Sequence, residues 1–111
     1  MSTENPNRRR AFVVLYRWRL RPGSEETFVR GWSRISEQLL LRGSLGSRLH
    51  CGSDGTWYSY AQWSSAQARA DAFSVGDIDE TAKAQMASAI AEQFPEIILD
   101  PIADYIVPVD S

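Results

Sequence analysis

The chain has 111 residues, 43% of them hydrophobic, with 12 lysines and arginines against 14 acidic residues. That length supports one core, and a net charge of -2 leaves no broad cationic surface for a phosphate backbone, which sets nucleic acid aside as a partner. A single cysteine, Cys51, forbids an internal disulfide, and a single histidine leaves no Cys/His cluster for zinc, so a reducing cytoplasmic setting is expected.

Residues 1–9, rich in Asn, Ser, Thr and Arg, read as a solvated flexible tail ahead of one domain spanning residues 10–111. Arg9, Arg10 and Phe12 follow a twin-arginine export pattern, but Arg17 and Arg19 interrupt the apolar run and no small-residue cleavage site follows. No stretch approaches the roughly 20 apolar residues that cross a bilayer, so no membrane partner is expected. Residues 11–20, "AFVVLYRWRL", are β-branched and aromatic with late alternation, the pattern of a strand, which "RPGS" ends. Ser24 is placed to cap a helix, with Glu25 and Glu26 in its first turn and Gly43 at its end. Phe28, Trp32, Ile35 and Leu39 then share one helical stripe.

Leu45 to Cys51 reads as a short strand, "GSDG" as a hairpin turn and Thr56 to Trp63 as the returning strand. Ser64 or Ser65 caps a short helix through Phe73, and Asp79 caps another in which Ala82, Met86 and Ile90 share a face. Pro101 precedes a final strand, Ile102 to Val107. The order predicts an α+β fold, βαββαβ, with helices on one side of an antiparallel four-stranded sheet.

Alternation puts Val13 and Leu15 on one face of the first strand and Phe12, Val14, Tyr16 and Trp18 on the other. In the third strand Tyr58 and Tyr60 share one face, Trp57 and Trp63 the other. Both faces are apolar, and helices cover only one. Large residues left on the second face each forgo about 1.5–3 kcal/mol of burial, which predicts a homodimer packed sheet to sheet. Tyr16, Trp18 and Trp57 are assigned to that dimer face, and Tyr58 and Tyr60 to the face under the helices.

Three stretches carry a family likeness: "YRWRLRPGSEETF", "GSLGSRLH" and above all "SDGTWYSYAQWSSAQA". From Phe12 to about Val107 the chain resembles the antibiotic biosynthesis monooxygenase family of dimeric α/β barrels with ferredoxin-like protomers. It is most similar to the actinorhodin-type enzymes, in which an "AQW" strand end also follows a "DGT" hairpin. The resemblance implies a cavity between sheet and helices in each protomer and oxidation of a phenolic or polycyclic aromatic compound by dioxygen. The substrate's own anion supplies the electrons in that chemistry, so no metal or flavin cofactor is implied. Carried over residue by residue, Trp63 matches the family's strand-end tryptophan, and Ser59 stands where those enzymes have asparagine. Arg69 stands in place of a helical tyrosine, and Lys83 corresponds to a basic residue of the later helix. These four form the candidate catalytic set.

Each candidate also has a plainer reading. Trp63 closes a strand and fits core packing as well as a cavity wall, and Tyr16 and Trp57 fit an interface as well as ligand contact. Tyr60 fits a cavity rim or a packed ring with a satisfied hydroxyl. His50 is the one side chain whose ordinary pKa lies near neutrality, hence the natural base, yet a histidine on a short strand is also an ordinary surface residue. His50, Tyr16, Trp57 and Tyr60 are the candidate substrate contacts, and Cys51 reads as a small packed residue. Two functions follow: a cofactor-independent monooxygenase acting on a small aromatic molecule, or a non-catalytic dimeric module that binds a small ligand or only assembles.

Overall fold

The computed structural model describes residues 11–107; the tail expected over residues 1–9 lies outside them. Strand β1, Phe12–Leu20, ends where Pro22 and Gly23, at φ 82°, turn the chain into helix α1, Glu25–Leu40. Ser24 occupies the cap position of α1 without a side-chain cap bond; its carbonyl accepts from the Phe28 N–H at 3.0 Å. Gly43, at φ 104°, then reverses the chain toward β2, Ser47–Cys51, which pairs antiparallel with β3, Trp57–Trp63. Helix α2, Ala66–Ser74, starts at Ser65, whose Oγ accepts from the Ala68 N–H. Helix α3, Glu80–Ala89, starts at Asp79, whose carboxylate accepts from the Ala82 N–H. That bond comes first among the causes holding the Asp79 pKa below its ordinary value, and Arg34, 2.8 Å away, adds to it.

The sheet runs β2-β3-β1-β4, with β4 being Ile90–Gln93 and a short β5, Ile97–Leu99, also on β1. Every pairing is antiparallel. The α+β, ferredoxin-like order expected from the sequence is therefore present, with β4 and β5 together filling the place of the fourth strand. The end of the chain departs from expectation. Residues 102–107 form no strand: the edge of β1 is already held by β4 and β5, and Ile102, Tyr105, Ile106 and Val107 lie exposed. Ile90, expected on the last helix, begins β4 instead.

The two sheet faces are exchanged relative to the sequence reading. Register pairs Tyr16 with Ser59 and Trp18 with Trp57, so these side chains share a face. Trp18 and Trp57 both meet Phe28 of α1, at ring distances of 5.0 and 6.1 Å, so that face lies under the helices. Tyr58 and Tyr60 point away from them. Alternation states which residues go together; only contact with a helix states which side is covered. With both sides apolar, the strand sequences alone held no preference.

Two clusters make the core: Trp18, Phe28 and Ala89, flanked by Trp32, Trp57 and Met86, and Val14, Trp63 and Ala72, flanked by Phe12, Tyr16 and Leu39. Helices α1 and α3 close on each other at Gly31, where a Cβ would lie 2.7 Å from the Ala82 carbonyl oxygen. The α1 stripe of Phe28, Trp32, Ile35 and Leu39 faces the sheet as its spacing predicts. Beyond Trp32 it does not fully seat: the sheet and α1 part, and the space between them is the site described next.

Candidate functional site

A cavity of about 170 Å³ opens between the sheet and α1. Tyr16 and Trp18 of β1, Ser59 and Trp63 of β3, and Trp32 and Leu39 of α1 form its walls, with Phe73 of α2 at one side. Ser36, Ser44 and Ser47 add hydroxyls to an otherwise apolar lining. An apolar space near 150 Å³ accepts benzene, so this one has room for a single substituted aromatic ring.

Its polar groups are few and placed by the fold. The Trp32 indole N–H donates to Ser59 Oγ at 3.0 Å, so Ser59, 2% exposed, spends a lone pair on α1 and retains its own proton for donation. Trp63 is 1% exposed and its Nε1 has no hydrogen-bond partner among the described residues. A buried unpaired N–H costs about 1–3 kcal/mol, a cost that an acceptor in the cavity would remove.

Arg69, on α2, meets Tyr16 at the cavity wall. Its Nη2 donates to the Tyr16 hydroxyl at 2.9 Å and to a Glu96 carboxylate oxygen at the same distance. The guanidinium lies between the Tyr16 and Phe73 rings, 5.8 and 5.7 Å from their centres. Burial raises the Tyr16 pKa above its ordinary value despite the opposing pull of Arg69, so the hydroxyl stays protonated at neutral pH. For Arg69, burial disfavours the charge, but bonding to Glu96 and Tyr16 more than offsets it and the pKa is raised.

Of the eight candidates read from the sequence, the structure brings four together. Tyr16, Ser59 and Trp63 line the cavity, and Arg69 is bonded to the Tyr16 hydroxyl. Trp57 is on the same face but packs against Phe28, outside the lining. Tyr60 and His50 lie on the opposite face of the sheet, where His50 pairs with Tyr58 and is exposed. Lys83 is half-exposed beside Glu80, 3.5 Å away, and does not reach the cavity. Cys51 is exposed and not packed. Two contributors escaped the sequence reading. Trp32 stood in the helical stripe and was legible as a packed ring, while the bond of its N–H to Ser59 needed the register of β3. Glu96 had no signal, because it reaches Arg69 only through the path of the chain after β4.

An antiparallel sheet backed on one face by helices, with an apolar cavity between the layers, defines the class as ferredoxin-like α+β proteins. Within that class the chain has the fold of the antibiotic biosynthesis monooxygenases. A candidate antibiotic biosynthesis monooxygenase from Chloroflexus aurantiacus J-10-fl superposes with a TM-score of 0.68 over 83% of this chain and 93% of that one, at 14% identity. SnoaB, a cofactor-independent oxygenase from Streptomyces nogalater, gives 0.66 over 80% and 90%, at 12% identity. A conserved protein from Methanosarcina mazei Go1 gives 0.73 over 86% and 97%, at 10% identity. At these identities the likeness is one of fold. No family model matches the sequence, and no curated protein matches it by sequence.

Proposed function

We propose that the chain is a cofactor-independent monooxygenase that oxidises a small phenolic compound with dioxygen, acting in the cytoplasm as a homodimer. The observation that carries this reading is Tyr16 in the wall of an apolar cavity of one-ring size, with its hydroxyl bonded to the Arg69 guanidinium behind it. A phenolate in that space would lie near a cationic group and a protonated hydroxyl, both of which favour its anion. In the proposed reaction the anion passes an electron to dioxygen, and a carbon–oxygen bond forms to give a peroxide. Cleavage of the O–O bond then leaves one oxygen on the ring as a quinone and releases the other as water. The phenol supplies all four electrons and the two protons found in that water. The apolar walls exclude solvent from the peroxide. Cavity volume favours a monocyclic substrate over a polycyclic one.

One observation supports the second reading, a non-catalytic module that binds a small apolar ligand. Among the described residues, no Asp, Glu, His or Lys lines the cavity, so a phenol bound there must lose its proton by its own acidity or to solvent. An oxygen electrode separates the two. Purified protein in chelator, without added flavin, is expected to consume oxygen with one-ring phenols that carry a free para position faster than buffer alone, and to yield quinone with one oxygen atom taken from isotopically labelled dioxygen. Binding of the same compounds with no oxygen uptake would reject the monooxygenase and leave the binding module.

A further inference from the structure

Glu96 owes its place to an irregularity in the sheet. Strand β1 pairs through Trp18 with Gln93 and through Leu15 with Ile97. Between those pairs β1 has two residues, Tyr16 and Arg17, and the facing chain has three, Phe94, Pro95 and Glu96. One residue is in excess, which is a bulge, and bulges bend a strand and re-aim its side chains. Pro95 sits in it, where its missing N–H costs no ladder bond.

The bulge is pinned on its far side by Arg17. The Phe94 N–H donates to the Arg17 carbonyl at 3.1 Å, the Arg17 guanidinium donates to the Pro95 carbonyl at 3.1 Å, and it lies 5.5 Å from the centre of the Phe94 ring. Glu96, next in line, faces Arg69, and its carboxylate accepts from the same Nη2 that donates to Tyr16. A single nitrogen with two protons thus bridges the two oxygens. A phenolic oxygen that accepts from a cation becomes a stronger donor of its own proton. Among the described residues nothing accepts that proton, and Tyr16 lines the cavity.

We propose that Glu96 is a positioning residue: it holds the Arg69 guanidinium against the Tyr16 hydroxyl, so that this hydroxyl presents its proton to an oxygen of the bound phenol. The inference rests on the reading of the cavity as a phenol site. Glu96 touches no ligand itself. Its work is to fix a long side chain that has two aromatic faces and an unpartnered Nε around it and that would otherwise sample several rotamers. The charged groups acting at Tyr16 are Arg69 from α2 and Glu96 from the bulge; Arg17 of β1 is engaged with Phe94 and Pro95.

The sign of one measurement tests this. The probe is 4-nitrophenol, a one-ring phenol whose bound anion is read by its visible absorption, and the quantity is the pKa of the bound probe. Removing the negative charge of Glu96 by Glu96→Gln would lower that pKa if Glu96 acted only through space. Loss of the positioned donor raises it. The expected result is a rise of about one unit in Glu96→Gln, a tenfold loss of phenolate relative to phenol. A smaller rise is expected in Glu96→Asp, which keeps the charge and shortens the reach, and which serves as the test where Glu96→Gln does not fold. A pKa that falls or stays unchanged in the folded variants overturns the positioning role and leaves the phenol site standing. Failure of the unaltered protein to bind 4-nitrophenol overturns the phenol site and the role of Glu96 with it.

Discussion

At the scale of single residues, the site is a set of ordinary core side chains each with one polar obligation left open. Trp63 shows the balance. Cutting the indole to a phenyl ring removes buried volume, at a cost of about 1–2 kcal/mol, but it also removes an N–H that has no partner in the cavity wall, which returns about 1–3 kcal/mol. Trp63→Phe should therefore lower unfolding free energy by no more than about 1 kcal/mol, or raise it by up to about 2 kcal/mol, in chemical denaturation, while weakening the binding of one-ring phenols. A loss of 3 kcal/mol or more with binding intact would make Trp63 a packing residue only. Tyr16→Phe removes the donor beside Arg69 and should lower kcat/KM for a one-ring phenol by about 100-fold, the usual cost of one donor to a developing oxyanion. An unchanged rate would take Tyr16 out of the chemistry. Trp63, Ser59 and Arg69 are legible through the family likeness, whereas strand parity groups Tyr16 with Trp18 but assigns both to the wrong side of the sheet. Tyr60 is misplaced by that parity, applied without knowing which face the helices cover, and His50 is singled out by its chemistry alone, which carries no information on its face. Lys83 failed for a different reason: its helix turns it to solvent beside Glu80.

Elements sit where local chemistry puts them, and what holds them in register is mostly one close approach and one polar row. At Gly31 the α1 backbone comes so near α3 that an added methyl would meet the Ala82 carbonyl oxygen at 2.7 Å and Met86 Cγ at 3.0 Å. Backbone cannot yield as a side-chain end can, so Gly31→Ala should destabilise by about 1–3 kcal/mol, although alanine favours a helix by about 1 kcal/mol. A stabilised Gly31→Ala protein in thermal melting would show that the two helices stand further apart. The row is Arg34, Gln38 and Arg42, spaced by four along α1 and into the turn that follows it. Arg42 donates to the Ala72 and Asp77 carbonyls at 2.9 and 3.0 Å, Gln38 accepts from the Asp79 N–H, and Arg34 pairs with the Asp79 carboxylate. This row ties the link from α2 to α3 onto α1 and so keeps Phe73 at the cavity. The starts of the helices, the caps at Ser65 and Asp79 and the hairpin were readable from residue type and spacing; the end of α3 was not, because the helical pattern runs on into Ile90, which begins β4. The bulge at Pro95 was not: a proline after a helical pattern reads as a stop, and the extra residue appears only when both partners of β1 are in place.

On the scale of the whole molecule, the case for a dimer survives the exchange of faces but rests on different residues. The tryptophans assigned to the interface, Trp18 and Trp57, both pack on Phe28 within one protomer, Trp18 at 5% exposure. Among the large apolar residues that lie open, one run follows β4: Ile97, Ile98 and Leu99 on β5, then Ile102, Tyr105, Ile106 and Val107, the last four between 64% and 79% exposed. A run of this length left in water forgoes about 1.5–3 kcal/mol for each large side chain, and patches of that kind mark contact with another protein surface. Because Ile97 and Leu99 pair with Leu15 and Val13, these two side chains continue the helix-free face of the sheet on which Tyr58 and Tyr60 also lie. The homodimer proposed here therefore joins through that face and the segment after β5, and not through the indoles. The double variant Ile102→Asp and Ile106→Asp, which alters no residue of the cavity, should sediment at half the mass of the unaltered protein at micromolar concentration and keep its circular dichroism. A variant that still sediments as the unaltered protein does would remove this segment from the interface, and an unaltered protein found as single chains would remove the dimer altogether.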